Sequence, residues 1–101
     1  MESEAPADRV EAVTNLLIEA ESAHGTYEAL DLGGVYDRDW ASWYAEFLIE
    51  HGLDDVIGHP TPLDRVGPLL ATTYAEFEQL DPRPDRAAWA QYIARRLVES
   101  L

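Results

Sequence analysis

Residues 27–44 read YEALDLGGVYDRDWASWY, and this stretch joins a tight turn to the start of a helix. It holds Gly33 and Gly34, four carboxylates, two tryptophans and three tyrosines. Either glycine can adopt the positive φ that a turn or a helix end requires. Asp37 is predicted as the N-cap of the following helix, with Asp39 in its first turn. The stretch therefore predicts two helices that fold back on each other.

Apolar residues at spacings of three and four predict the helices on both sides of this turn. The first helix begins at residue 7, and its buried face holds Val10, Val13, Leu16, Leu17, Ala20, Ala23, His24 and Tyr27. The second ends near residue 51 before a glycine C-cap, and its buried face holds Trp40, Trp43, Tyr44, Phe47, Leu48 and His51. Both helices therefore present one apolar face to a common core.

The second half of the chain continues the helical pattern. Residues 53–60 are rich in turn formers and are predicted as a loop, and Thr61 then caps a helix whose apolar face runs to Leu80. Pro68 falls on its solvent side, which predicts one kinked helix or two shorter ones. A last helix runs from residue 84 or 85 to residue 99. We therefore predict an all-α bundle of four amphipathic helices, or five.

Composition limits the classes of protein that this chain can belong to. Its 101 residues are enough for one domain, predicted over residues 7–101 after a disordered tail at residues 1–6. The sequence has no cysteine, which excludes disulfides, thiolate zinc sites and cysteine nucleophiles. No segment is long and apolar enough to span a membrane, and the N-terminus lacks the features of a signal peptide. A cytoplasmic location is therefore expected.

The charge is strongly negative. Twenty acidic residues face seven basic ones, and all seven are arginine. Such a surface repels nucleic-acid phosphates and anionic lipids, so we expect neither nucleic acid nor a membrane as a partner. It attracts a basic protein surface and speeds that encounter. A salt-adapted cytoplasm or a GC-rich genome is the alternative explanation of the same composition.

The histidines are the first candidates for a site. Glu21, His24 and Glu28 share one side of a helix, and Glu-x-x-His is a spacing used in di-iron carboxylate bundles. The sequence holds one copy of that motif, so a metal site of this type needs a second copy, for example from a homodimer. The alternative is a core histidine whose ring bonds to Glu28 and to a tyrosine. His51 is predicted at a helix end and His59 in a loop.

The glycine turn should bring acidic and aromatic side chains together beside this histidine. The predicted ligand-binding residues are His24, Tyr27, Glu28, Tyr36, Asp37, Trp40 and Tyr44. Carboxylates with an imidazole can perform acid–base chemistry or hold a divalent cation, and aromatic faces can hold an organic cation. The alternative is that the tryptophans and Tyr44 belong to the core.

The run from His24 to Ala45 reads H-G-x-Y-E-x-x-x-L-G-G-V-Y-D-x-D-W-x-x-W-Y-A. It resembles a pattern in small bacterial helical proteins to which no activity is attached. The run covers about a fifth of the chain. The resemblance implies only that this region forms one unit.

Two functional hypotheses follow from these residues. The first is a small acidic accessory protein, a monomer or a homo-oligomer, that binds a basic protein surface or a small ligand. The second is a metal-dependent or acid–base enzyme with a site around His24, Glu28 and Asp37. The sequence contains no G-x-S-x-G, H-E-x-x-H or phosphate-binding glycine loop, and it names no cofactor.

Overall fold

A computed structural model describes residues 6–34, 38–82, 84–85 and 88–101, with the side chains from residue 8 onwards. Across these residues the chain forms the helices α1 (Pro6–Leu30), α2 (Trp40–Glu50), α3 (Leu53–Ile57), α4 (Leu63–Glu78) and α5 (Trp89–Ser100). The predicted all-α bundle is confirmed. The part of the chain that the structure describes has no helix with both the length and the apolar composition needed to cross a membrane.

The four longer helices pack in a ring. α1 contacts α5 and α2, and α4 contacts the same two helices, so α1 lies diagonally across from α4. The short α3 packs on α1 and α2. The end of α1 contacts the start of α2 through His24 and Tyr44, and the end of α5 contacts the start of α4 through Ser100 and Arg65, as expected for the alternating directions of an up-and-down bundle. The end of α1, the start of α2, the end of α4 and the start of α5 therefore meet at one end of the bundle.

The core follows the predicted apolar faces. Its fully buried side chains include Val13, Leu17, Leu48, Leu53, Val66, Leu70, Ile93 and Leu97. Two predicted core positions are wrong. Leu63, where the predicted apolar face of this helix begins, is 45 % exposed because it is the first residue of α4. His51 is exposed beyond the end of α2, where its ring stacks on Phe47 with 3.8 Å between ring centroids and its Nδ1–H donates to the Phe47 carbonyl.

The prediction of a loop over residues 53–60 is wrong, because α3 occupies its first half. Gly52 and Gly58 bracket this helix with φ values of 112° and 100°. Asp54 Oδ1 accepts the backbone N–H of Thr61 at 3.0 Å and also the Thr61 hydroxyl. Thr61 is therefore bound to α3 and does not cap α4, whose N-cap position is taken by Pro62.

Gly33 and Gly34 form the predicted turn, whereas Gly25 and Pro68 lie within helices. Gly33 and Gly34 both have positive φ, 61° and 85°, as the predicted turn requires. α1 continues through Gly25. α4 is one helix through Pro68, whose ring is exposed as expected. The prediction that Asp37 caps α2, with Asp39 in the first turn, is wrong, because α2 begins at Trp40 and Asp39 occupies the N-cap position. Asp37 itself lies outside the described residues.

The end of the bundle opposite the glycine turn is closed by the end of α5. His59 Nε2 lies 2.9 Å from the Leu101 carbonyl oxygen, and the Arg65 guanidinium donates to the Ser100 carbonyl. These contacts join the last turn of α5 to the segment around the start of α4. Pro6, at the start of α1, belongs to the same end because α1 and α5 run antiparallel.

Candidate functional site

A groove opens at the end of the bundle where α1 ends and α5 begins. Its volume is about 740 Å³, within the range of roughly 300–1,000 Å³ that is usual for small-ligand sites. The described residues that line it are Glu21, His24, Gly25, Glu28, Trp40, Tyr44, Tyr74, Phe77, Glu78, Pro84, Asp85 and Trp89. Every long helix contributes, so the groove is a product of the bundle topology.

The floor of the groove is aromatic. We call Trp40, Tyr44, Tyr74 and Trp89 the aromatic floor. Trp40 meets Tyr44 edge-on at 5.5 Å and Tyr74 at 5.4 Å between ring centroids, and Tyr44 meets Trp89 at 6.2 Å. Edge-to-face contacts at these distances are favourable and fix the orientation of the rings. The floor is therefore a set of packed rings contributed by three different helices.

Carboxylates stand on two sides of this floor. Glu21 and Glu28 come from α1, while Glu78 and Asp85 come from the end of α4 and the segment after it. We call these four side chains the acidic rim. Because α1 lies diagonally across from α4, the two pairs face each other over the groove. Negative charge over aromatic rings produces a site that favours cations.

His24 is packed inside the wall of the groove. The residue is 7 % exposed, with its ring centroid 4.9 Å from that of Trp43, 5.1 Å from that of Tyr44 and 6.0 Å from that of Tyr27. Its Nδ1 lies 3.9 Å from Glu28 Oε1, an ion-pair distance that is too long for a hydrogen bond. His24 thus has the aromatic packing of a core residue and also borders the groove.

Tyr44 is the most deeply buried part of the aromatic floor. It is 8 % exposed, and burial raises the pKa of its hydroxyl, with the negative charges of Glu21 and Glu28 adding to the effect. The hydroxyl is therefore protonated at neutral pH. In the portion of the chain that the structure describes, it makes no hydrogen bond, although the residue borders the groove.

The structure brings together most of the predicted site residues. Glu21, His24, Glu28, Trp40 and Tyr44 all line the groove. The remaining predicted ligand-binding residues are Tyr27, Tyr36 and Asp37.

Tyr27 does not line the groove. Its ring packs on Trp43 at 5.5 Å, and Trp43 in turn stacks on Phe47 at 5.6 Å. Tyr36 and Asp37 lie outside the described residues, so their predicted part in the site stays a prediction.

Sequence reasoning missed the half of the groove that comes from α4 and α5. Tyr74 and Glu78 lie one turn apart near the end of α4, and Trp89 begins α5. An up-and-down bundle places the end of its third long helix beside the end of its first. The order of the predicted helices in such a bundle is therefore the signal that could have added these three residues to the predicted site.

The predicted metal site is not formed as a cluster of ligands. Within the described ranges, no three histidine or acidic side chains are placed to hold a metal ion together. Glu21, His24 and Glu28 remain close neighbours on α1, so a site completed by a second molecule stays a prediction.

Comparison with known proteins adds no relative. No protein-family model, curated protein or solved structure matches this chain. The resemblance over residues 24–45 therefore stays a prediction.

Proposed function

We propose that this protein is a binding protein whose groove accepts a cationic organic group. The observation that carries the proposal is the acidic rim over the aromatic floor. A cation within about 6 Å of an aromatic face gains roughly 0.5–2 kcal/mol, more where water is excluded. Carboxylates on both sides supply the opposing charge.

The cation can be a free small molecule or the side chain of a basic protein. The net charge of −13 attracts both and speeds both encounters. A groove of about 740 Å³ exceeds the size of one arginine side chain, so a protein partner would bring neighbouring residues as well. A cytoplasmic location and a homodimeric state are further sequence-based predictions that accompany this proposal.

Titration with small cations tests the proposal directly. We expect propylammonium and propylguanidinium to bind at constant ionic strength and to change the fluorescence of the groove tryptophans, while 1-propanol has no effect. Glu21→Gln with Glu28→Gln should weaken this binding several-fold. Glu11→Gln with Glu19→Gln is the matched control, because both glutamates are exposed on the same helix outside the groove.

The same titration separates the two sources of the cation. If a lysine- or arginine-containing peptide binds much more tightly than the free cation, a protein partner is indicated. Equal affinity for both indicates a small-molecule site. If the wild-type protein binds none of these cations, the proposal itself is contradicted.

An enzyme with acid–base or metal chemistry is the second candidate, and the 3.9 Å pair of His24 and Glu28 is the observation that favours it. Thermal unfolding against a panel of divalent cations tests the metal version. Bound metal at 100 times its dissociation constant raises the free energy of unfolding by roughly 2.7 kcal/mol. A shift that disappears in His24→Ala supports this candidate, whereas an unchanged melting curve with every metal counts against it.

A further inference from the structure

The hydroxyl of Tyr44 is a polar group held in a fixed position. The ring of Tyr44 is enclosed by Trp40 at 5.5 Å, Trp43 at 6.0 Å and Trp89 at 6.2 Å between centroids. With 8 % of the residue exposed, the side chain has little freedom to turn towards solvent. Among the described residues its hydroxyl has no hydrogen-bond partner, and the residue borders the groove. A groove-lining hydroxyl that no described side chain engages is available to a ligand, and a hydrogen bond from the ligand to this hydroxyl adds affinity.

The kind of partner follows from the chemistry around this hydroxyl. Its burial and the nearby carboxylates of Glu21 and Glu28 keep it in the phenol form, whose oxygen accepts a hydrogen bond. A cation drawn in by the acidic rim can donate that bond if it carries N–H groups. A quaternary ammonium ion has no N–H and offers only methyl groups.

We infer that the groove selects cations that carry N–H groups, namely a primary ammonium or a guanidinium, over quaternary ammonium ions. Tyr44 is the residue that determines this specificity. The inference rests on the proposed function of the groove as a cation site. The aromatic floor alone would accept a quaternary ammonium ion equally well, because cation–π attraction does not require an N–H.

The affinities of propylammonium and propyltrimethylammonium test this inference. Wild-type protein should prefer propylammonium by about tenfold or more, the usual effect of a hydrogen bond to a charged group. Tyr44→Phe should abolish the preference by weakening propylammonium and should leave propyltrimethylammonium unchanged. Tyr92→Phe removes a hydroxyl that lies outside the groove lining and should preserve the preference.

A series of N-methylated propylamines provides a test that needs no variant. Affinity for the wild type should fall most sharply when the last N–H is replaced by methyl. The inference is overturned if the trimethyl compound binds as tightly as the amine, or if a folded Tyr44→Phe protein keeps the preference. Binding of every probe without discrimination overturns this inference alone, whereas binding of none overturns the proposed function with it.

Discussion

Tyr44 links the stability of this fold to alkaline pH. Its pKa is raised in the folded protein by burial and by Glu21 and Glu28, whereas an unfolded tyrosine has a pKa of about 10. Above that pH the unfolded chain loses the proton while the folded protein keeps it. The stabilising contribution is therefore complete below pH of about 10 and is lost as the pH rises further.

We expect the free energy of unfolding to fall above pH of about 10 by up to roughly 1.4 kcal/mol per pH unit from this group. In Tyr44→Phe the decline should be shallower. Urea unfolding of both proteins at several pH values between 9 and 11.5 measures the difference. Parallel curves for the two proteins would show that Tyr44 does not contribute.

Gly52 and Gly25 differ in backbone conformation, so replacing each with alanine should change stability in opposite directions. Gly52 has a φ of 112°, where a side chain is strained, so Gly52→Ala should destabilise the protein by about 1–3 kcal/mol. Gly25 lies within α1, and an added Cβ would meet no atom within 4 Å. Gly25→Ala should therefore stabilise the protein by about 0.5–1 kcal/mol. Chemical denaturation checks both values, and changes of the same sign would contradict the assignment.

Among the helices, α3 is held in place by a contact between Asp54, within the helix, and Thr61, beyond its end. Asp54 accepts the N–H of the buried Thr61 at 3.0 Å. Asp54→Ala would leave that N–H and the Thr61 hydroxyl without their acceptor, at a cost of about 1–3 kcal/mol. Asp55→Ala is the control, because Asp55 lies in the same first turn of α3 but is exposed. Equal melting temperatures for the two variants would show that the contact is not stabilising.

The elements show which features a sequence can predict. The apolar faces of α1, α2, α4 and α5 were readable because their period of 3.6 residues persists over three or more turns. α3 was missed because five residues are too few to show a period. The sequence pattern predicts Thr61 as a cap, whereas its partner in the fold is Asp54, which lies in the preceding helix α3.

The residues of the candidate site also divide into those that the sequence predicts and those that it does not. Glu21, His24, Glu28, Trp40 and Tyr44 were predicted together because the glycine turn makes them neighbours along the chain. Tyr74, Glu78 and Trp89 reach the groove only through the pairing of α4 and α5 with the other helices. That pairing is decided by packing of the whole core and has no local signature.

For the molecule as a whole, charge opposes the compact state. A net charge of −13 on 101 residues produces self-repulsion that salt screens. Raising sodium chloride from 0.01 M to 1 M should therefore stabilise the protein by about 1 kcal/mol, or roughly 4–8 °C in melting temperature. Glu11→Gln with Glu19→Gln removes two of the repelling charges and should reduce the rise. A melting temperature that is independent of salt would contradict this account.

The same screening should act in the opposite direction on ligand binding. Attraction between the acidic rim and a cation weakens as ionic strength increases. Calorimetric titration of propylguanidinium at low and high salt measures the effect. An affinity that does not change with salt would indicate that the aromatic floor, and not the rim, supplies the binding energy.

The position of Leu101 bears on how the groove faces other molecules. Leu101 lies at the closed end, and the 12 residues of α5 place that end roughly 18 Å from the groove along the bundle axis. A surface attached through Leu101 would therefore lie away from the opening. The protein can be displayed from an immobilising support with its groove directed outward and unobstructed.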